Sequence, residues 1–155
     1  MADTVERVEQ IESDMPDPSP TRPPTDSELR DDPVVRLAIE RAWNDSKPHD
    51  PKTRHEEGGW IYMNLLNGEI TVRRAAPGHQ SEVNLANPPQ LSNHVVVGVF
   101  HTHPNPSAEG WEPGPSDSDK YADERDGVPD LIRADNGIHI SGPESRRGGL
   151  AGGPG

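Results

Sequence analysis

Cysteine is absent from the 155 residues, and aromatic side chains are scarce at 4%, with a single phenylalanine. Without cysteine there is no disulfide and no thiolate ligand, so any metal bound by this chain must rest on imidazole and carboxylate. Apolar residues are also few, at 29%, and no apolar run approaches the ~20 residues that span a bilayer. The first residues lack the basic-then-apolar pattern of a secretory signal, so cytoplasmic residence is the default expectation. A protein exported by a specialised machine would look the same. Basic residues are outnumbered 15 to 27 by acidic ones, for a net charge of −12. Clustered Lys and Arg supply most of the affinity for phosphate backbones, so nucleic acid is not an expected partner and neither is a membrane. Proteins with basic patches suit the charge better.

What the chain has in excess is proline, 18 residues, and glycine, 15. Five prolines fall at 16, 18, 20, 23 and 24, in a segment whose ten acidic residues through Asp32 face only Arg7, Arg22 and Arg30. Such a stretch buries too little apolar area to offset its ordering entropy. Residues 1–31 are therefore expected to be a disordered acidic tail, in which Thr4 to Met15 could form a transient helix on a partner. Residues 143–155 read as a flexible glycine-rich tail. One domain is expected between them, over 32–142.

Within that domain Asp32-Pro33 opens a helix, with Asp32 as N-cap and proline at the first position. Val34, Val35, Leu37, Ala38, Ile39, Ala42 and Trp43 give it a broad apolar face through about Asn44. Gly58 to about Leu65 reads as a strand turning at Asn67-Gly68 into Glu69–Val72, a hairpin. Ala75 to Asn93 is a polar connection. Val95–Phe100 reads as a buried strand, Asp117–Glu124 as a short helix, and Pro129–Arg133 with Ile138–Ser141 as a final hairpin across Asp135-Asn136-Gly137. The expected class is α/β, a small mixed sheet with flanking helices.

The Val95–Phe100 strand runs directly into His101-Thr102-His103-Pro104. Residues two apart on a strand share a face, so both imidazoles point one way. Asp119, at the start of the following helix, can complete a three-ligand zinc site with a fourth position for water, the pattern of catalytic rather than structural zinc. Zinc lowers the pKa of bound water to roughly 7, so a nearby carboxylate suffices as base. Glu56 and Glu57 open the first strand, and Gly58 and Gly59 behind them permit close backbone approach.

Glu56-x-x-Gly59-Trp60-Ile61, a strand ending in His101-Thr102-His103-Pro104, then Ser116-x-x-Asp119, resembles the JAMM motif of the JAB/MPN/Mov34 metalloproteases. The resemblance spans about Glu56 to Gly142. It implies a small JAB/MPN-like, cytidine-deaminase-like fold and one Zn2+ held by His101, His103 and Asp119. It further implies Glu56 as general acid/base, with Glu57 as fallback, and Ser116 as a donor to the oxyanion. A zinc metallopeptidase or isopeptidase is then expected, a hydrolase acting on protein or peptide substrates that include ubiquitin-like conjugates. The family usually places seven residues between the second histidine and the serine, whereas Pro104 to Pro115 makes twelve. The extra residues form a lobe above the metal, where Trp111 can cover a substrate segment. Glu109 or Glu112 can reach an open metal position from there, although solvation is the ordinary state of a loop carboxylate.

Blander readings stand beside these. Ser116 and Asp119 also suit a helix N-terminus, as N-cap and first-turn acid, which is compatible with the functional role. His49, His55, His79, His94 and His139 lack comparable companions and suit surface or satisfied-core roles. Trp60 and Tyr62 read as strand-face core. Two other functions compete with the peptidase: a non-catalytic MPN-like interaction module, and a JAB-type toxin or effector with another hydrolytic substrate. The end of the chain, Arg146-Arg147-Gly148-Gly149, superficially resembles the Arg-Gly-Gly terminus of ubiquitin-like modifiers, but glycine-rich ends are usually just solvated.

Overall fold

In the computed structural model, residues 21–147 other than Glu112 are described. Helix α1 (Asp26–Asp31) opens with a reciprocal cap: the Glu28 amide donates to Thr25 Oγ1, and the Thr25 amide donates to the Glu28 carboxylate. Helix α2 (Pro33–Asp45) follows at once, its first amides held by Asp32 at 2.8 and 3.2 Å, with proline at the first position as expected. Its buried stripe is narrower than the sequence suggests. Val35, Ile39, Ala42 and Trp43 turn inward, while Val34 and Leu37 are 48% and 53% exposed.

Strands β1 (Gly58–Asn64), β2 (Ile70–Arg74), β3 (His94–Thr102), β4 (Asp130–Ala134) and β5 (Gly137–Ser141) form one sheet in the order β2-β1-β3-β4-β5. Both expected hairpins are present as antiparallel pairs, β1 with β2 and β4 with β5. β3 and β4 run parallel, and the crossover between them carries helix α3 (Asp117–Asp126). The result is a mixed α/β fold with a five-stranded mixed sheet. Among the described residues no helix is long and apolar enough to cross a membrane.

The sheet is buried on both faces. On one side Ile61, Met63, Val95, Val97, Phe100 and Leu131 pack against Leu29 of α1 and the stripe of α2. On the other, Trp60, Tyr62, Val96, Val99 and Val128 pack under the 75–93 connection, which contributes Ala75, Leu85 and Leu91. That connection is polar in composition, yet its carbonyls satisfy the buried aromatics: Trp60 Nε1 donates to Leu85 O at 3.1 Å and the Tyr62 hydroxyl to Pro89 O at 2.5 Å.

A β-bulge governs which face the end of β3 presents. Ile61 pairs with Gly98 and Tyr62 with Val96, so Val97 has no counterpart. Such an extra residue resets the alternation of side chains. Val95 and Val97 lie on the helix side, but beyond the bulge it is Phe100 that does so, while Val99 joins the opposite core. His101 consequently emerges on the face away from α2, with Thr102 pointing back toward it.

Two expected boundaries are corrected. The tail placed at 1–31 includes α1, whose Leu29 is fully buried in the core and anchors the helix. The tail placed from 143 is packed through Arg147: the Asp26 amide donates to Glu144 O at 2.7 Å, Ser145 bridges Thr25, and buried Arg146 donates to Val96 O at 2.9 Å. Composition misses both segments because a few side chains fix each one. The Thr4–Met15 helix, residues 1–20 generally and the Gly148-Gly149 pair lie outside the described residues.

Candidate metal centre

The start of β1 and the end of β3 are laced together by backbone. Gly58 pairs with His101, and the Thr102 amide donates to Glu57 O at 2.9 Å. This approach needs glycine, because a Cβ on Gly58 would lie 2.6 Å from Phe100 O and one on Gly59 would lie 2.9 Å from Phe100 Cζ. Thr102 points to the helix side, where its Oγ1 accepts from the Glu57 amide at 3.0 Å and meets Ser46 Oγ at 2.5 Å. Ser46 in turn donates to Ala42 O near the end of α2. The segment bearing Glu56 and the strand bearing the histidines are thus fixed relative to each other and to α2.

On the opposite face the two imidazoles converge, with His101 Nε2 and His103 Nε2 3.2 Å apart. Asp119 closes the triangle, its Oδ2 3.1 Å from His103 Nε2 and its Oδ1 3.4 Å from His101 Nε2. Helix α3 aims this carboxylate through its own cap: the Ser116 amide donates to Asp119 Oδ2 at 3.0 Å, and the Asp119 amide donates to Ser116 Oγ at 3.1 Å. The Ser116 hydroxyl also lies 3.2 Å from Ser118 Oγ. Glu56 approaches from the β1 side, its Oε2 3.9 Å from His103 Nε2. The ligand atoms of Glu56, His101 and His103 lie within 4.8 Å of one another, a buried group that could hold a metal ion.

Electrostatics bind the cluster together. Burial drives the Glu56 carboxyl up to about 7, opposed by the charges of His101 and His103 and assisted by Asp119 and Asp130. For His101, burial favours the neutral ring, but Asp130 and Asp119 outweigh it and hold the imidazole well above its ordinary value. Burial alone would raise the Asp119 carboxyl, yet hydrogen bonds from His101 and His103 hold it well below the usual carboxylate range.

The two candidate bases part company here. Glu57 is fully engaged elsewhere, with Oε1 accepting from Arg74 Nη2 at 2.7 Å and Oε2 2.6 Å from His55 Nε2. Glu56 has no such partners and faces the histidines. Glu109 does not reach the centre either, because buried Arg54 holds its Oε1 at 2.6 Å. The inserted lobe is a short 3-10 turn (Ser107–Glu109) whose Ser107 also binds Asp135, and Trp111 beyond it is 39% exposed. Glu112 lies outside the described residues.

One carboxylate at the centre went unread in the sequence. Asp130, at the first position of β4 and 3% exposed, has its Oδ1 3.2 Å from His101 Nδ1. It belongs to no spacing pattern, since only the parallel pairing of β3 with β4 brings it there. A cleft of about 280 Å³ opens beside the centre, lined by Glu56, Val83, Leu85, His101, Asp119 and Asp130 among others. Compared with known proteins, the chain matches no family model, no curated sequence and no solved structure.

Proposed function

We propose that this chain is a zinc-dependent metallopeptidase of the JAMM/JAB kind, with a JAB/MPN-like fold, hydrolysing peptide or isopeptide bonds in protein substrates, ubiquitin-like conjugates included. The carrying observation is the convergence of His101 Nε2, His103 Nε2 and the Asp119 carboxylate, with 3.2 Å between the two nitrogens, 3.1 Å from His103 Nε2 to Asp119 Oδ2 and 3.4 Å from His101 Nε2 to Asp119 Oδ1. Ligand bonds of 2.0–2.2 Å at tetrahedral angles require separations of about 3.3–3.6 Å, so the donor set suits zinc in chemistry and comes close to it in spacing. His101, His103 and Asp119 would hold the ion. When bound, zinc supplies Lewis-acid polarisation and lowers the pKa of water to roughly 7.

The remaining work falls to this chain's own side chains. Glu56, buried and facing the histidines, is placed to carry a proton: it takes one from the attacking water and returns it to the departing amine. The Ser116 oxygen accepts from the Asp119 amide, and with Ser118 as donor in the contact between the two hydroxyls its own proton serves a carbonyl oxygen gaining negative charge. The 75–93 connection walls the cleft with Val83 and Leu85, where substrate can displace water.

Zinc content and hydrolysis of a panel of peptide and isopeptide-linked substrates test this reading together. The wild type is expected to carry one zinc per chain. Glu56→Gln should keep the metal and lose roughly 10²–10⁴-fold in rate, whereas His101→Ala and Asp119→Ala should lose both. A fully active Glu56→Gln protein refutes the assignment of the base, and a wild type without affinity for zinc refutes the whole.

A further inference from the structure

Asp130 is a buried carboxylate that none of these roles uses. It sits at the first position of β4, on the strand that pairs in parallel with β3, and approaches the side of the His101 ring opposite to the metal-facing nitrogen. His101 is therefore held at both nitrogens, by Asp130 at Nδ1 and by the His103–Asp119 cluster at Nε2. His103 differs. Its Nε2 takes part in the same cluster, but its Nδ1 is buried with no hydrogen-bond partner among the described residues.

We propose that Asp130 is a positioning residue that selects the tautomer of His101: by accepting a hydrogen bond from Nδ1–H it fixes the ring and leaves the Nε2 lone pair for the ion. Resting on the metallopeptidase reading, this makes His101 the oriented anchor of the site and His103 the ligand held by the ion itself. A neutral imidazole carries one proton on one of two nitrogens, and the group hydrogen-bonded to one nitrogen decides which is left to bind metal. Carboxylates that orient ligand histidines in this way are worth about 10–100-fold in metal affinity. Asp130 meets the ring at Nδ1, the nitrogen turned away from the ion, and acts through His101.

The test uses the full chain and zinc alone. Zinc affinity is measured by competition with a chromophoric chelator for the wild type, Asp130→Ala and Asp130→Asn, and the protonated nitrogen of His101 in the zinc-loaded wild type is identified from long-range 15N–1H couplings. Asp130→Ala is expected to bind about 10–100-fold more weakly, and Asp130→Asn, whose carbonyl still accepts from Nδ1–H, to recover most of that loss. The spectrum should show the proton on Nδ1 and the metal on Nε2. Equal affinity in all three proteins, or a His101 ring bound through Nδ1, overturns the inference while the metallopeptidase reading stands. A wild type that takes up no zinc overturns both. Should Asp130→Ala fail to fold, Asp130→Asn and the wild-type spectrum still decide.

Discussion

Glu56 shows what a single side chain costs and contributes. Its carboxyl titrates at about 7 in the folded metal-free protein and near the ordinary 4.3 when unfolded. A folded value above the unfolded one means that its contribution to stability is complete below about pH 4.3 and is lost as pH rises through about 7. Glu56→Gln removes the buried charge, so at pH 8 the metal-free variant should be more stable than the wild type by roughly 1–3 kcal/mol. The gap should close by about pH 4, and chemical denaturation across this range measures it. Ser116→Ala is expected to cost about 1 kcal/mol through the lost cap of α3, and to slow hydrolysis further if the hydroxyl serves the oxyanion. Thermal melts separate the first effect from the second. At this scale His101, His103 and Asp119 were legible as neighbours because strand period and helix-start chemistry are local, while Glu56 rested on the resemblance. What physically sets Glu56 apart from Glu57 was not legible, since it depends on Arg74 and His55 arriving at Glu57 from elsewhere.

Helix α2 was legible in its limits but not in its orientation. Asp32-Pro33 announced its start, whereas the list of apolar residues could not say which would face the sheet. Ile39 is 1% exposed and Leu37 is 53% exposed. Ile39→Ala is therefore expected to destabilise by about 2–5 kcal/mol and Leu37→Ala by less than about 0.5 kcal/mol. Equal losses in urea titrations would contradict the packing. The two hairpins were legible for a simpler reason, that Asn-Gly between apolar runs specifies its turn locally. The bulge at Val97 was not read, although Gly98 beside it is the mark that an isolated glycine leaves in a strand. The alternation of His101 with His103 survived only because both lie beyond it.

For the whole molecule, the class of fold followed from the order of helix and strand signals. How the sheet is covered did not follow, because the 75–93 connection offers backbone carbonyls rather than an apolar stripe to Trp60 and Tyr62. The ends of the domain were misjudged for a related reason: Leu29 and Arg146 anchor segments whose composition looks loose. A ligand that binds only the folded chain raises its stability with concentration, by about 4 kcal/mol at a thousand times the dissociation constant. Saturating zinc is expected to raise the melting temperature by on the order of 10 °C, and a chelator should reverse the shift. Calorimetry with and without zinc checks it.

Thr102 lies between the two histidines but turns the other way, to Glu57 and Ser46. It works as a rivet through the end of β3, so the backbone that carries the imidazoles on the far side has little room to shift. A cation arriving there meets His101 already oriented and has only the His103 ring to settle. Little ordering is left for capture to impose, so the speed of loading should follow arrival at the cleft rather than rearrangement of the strand.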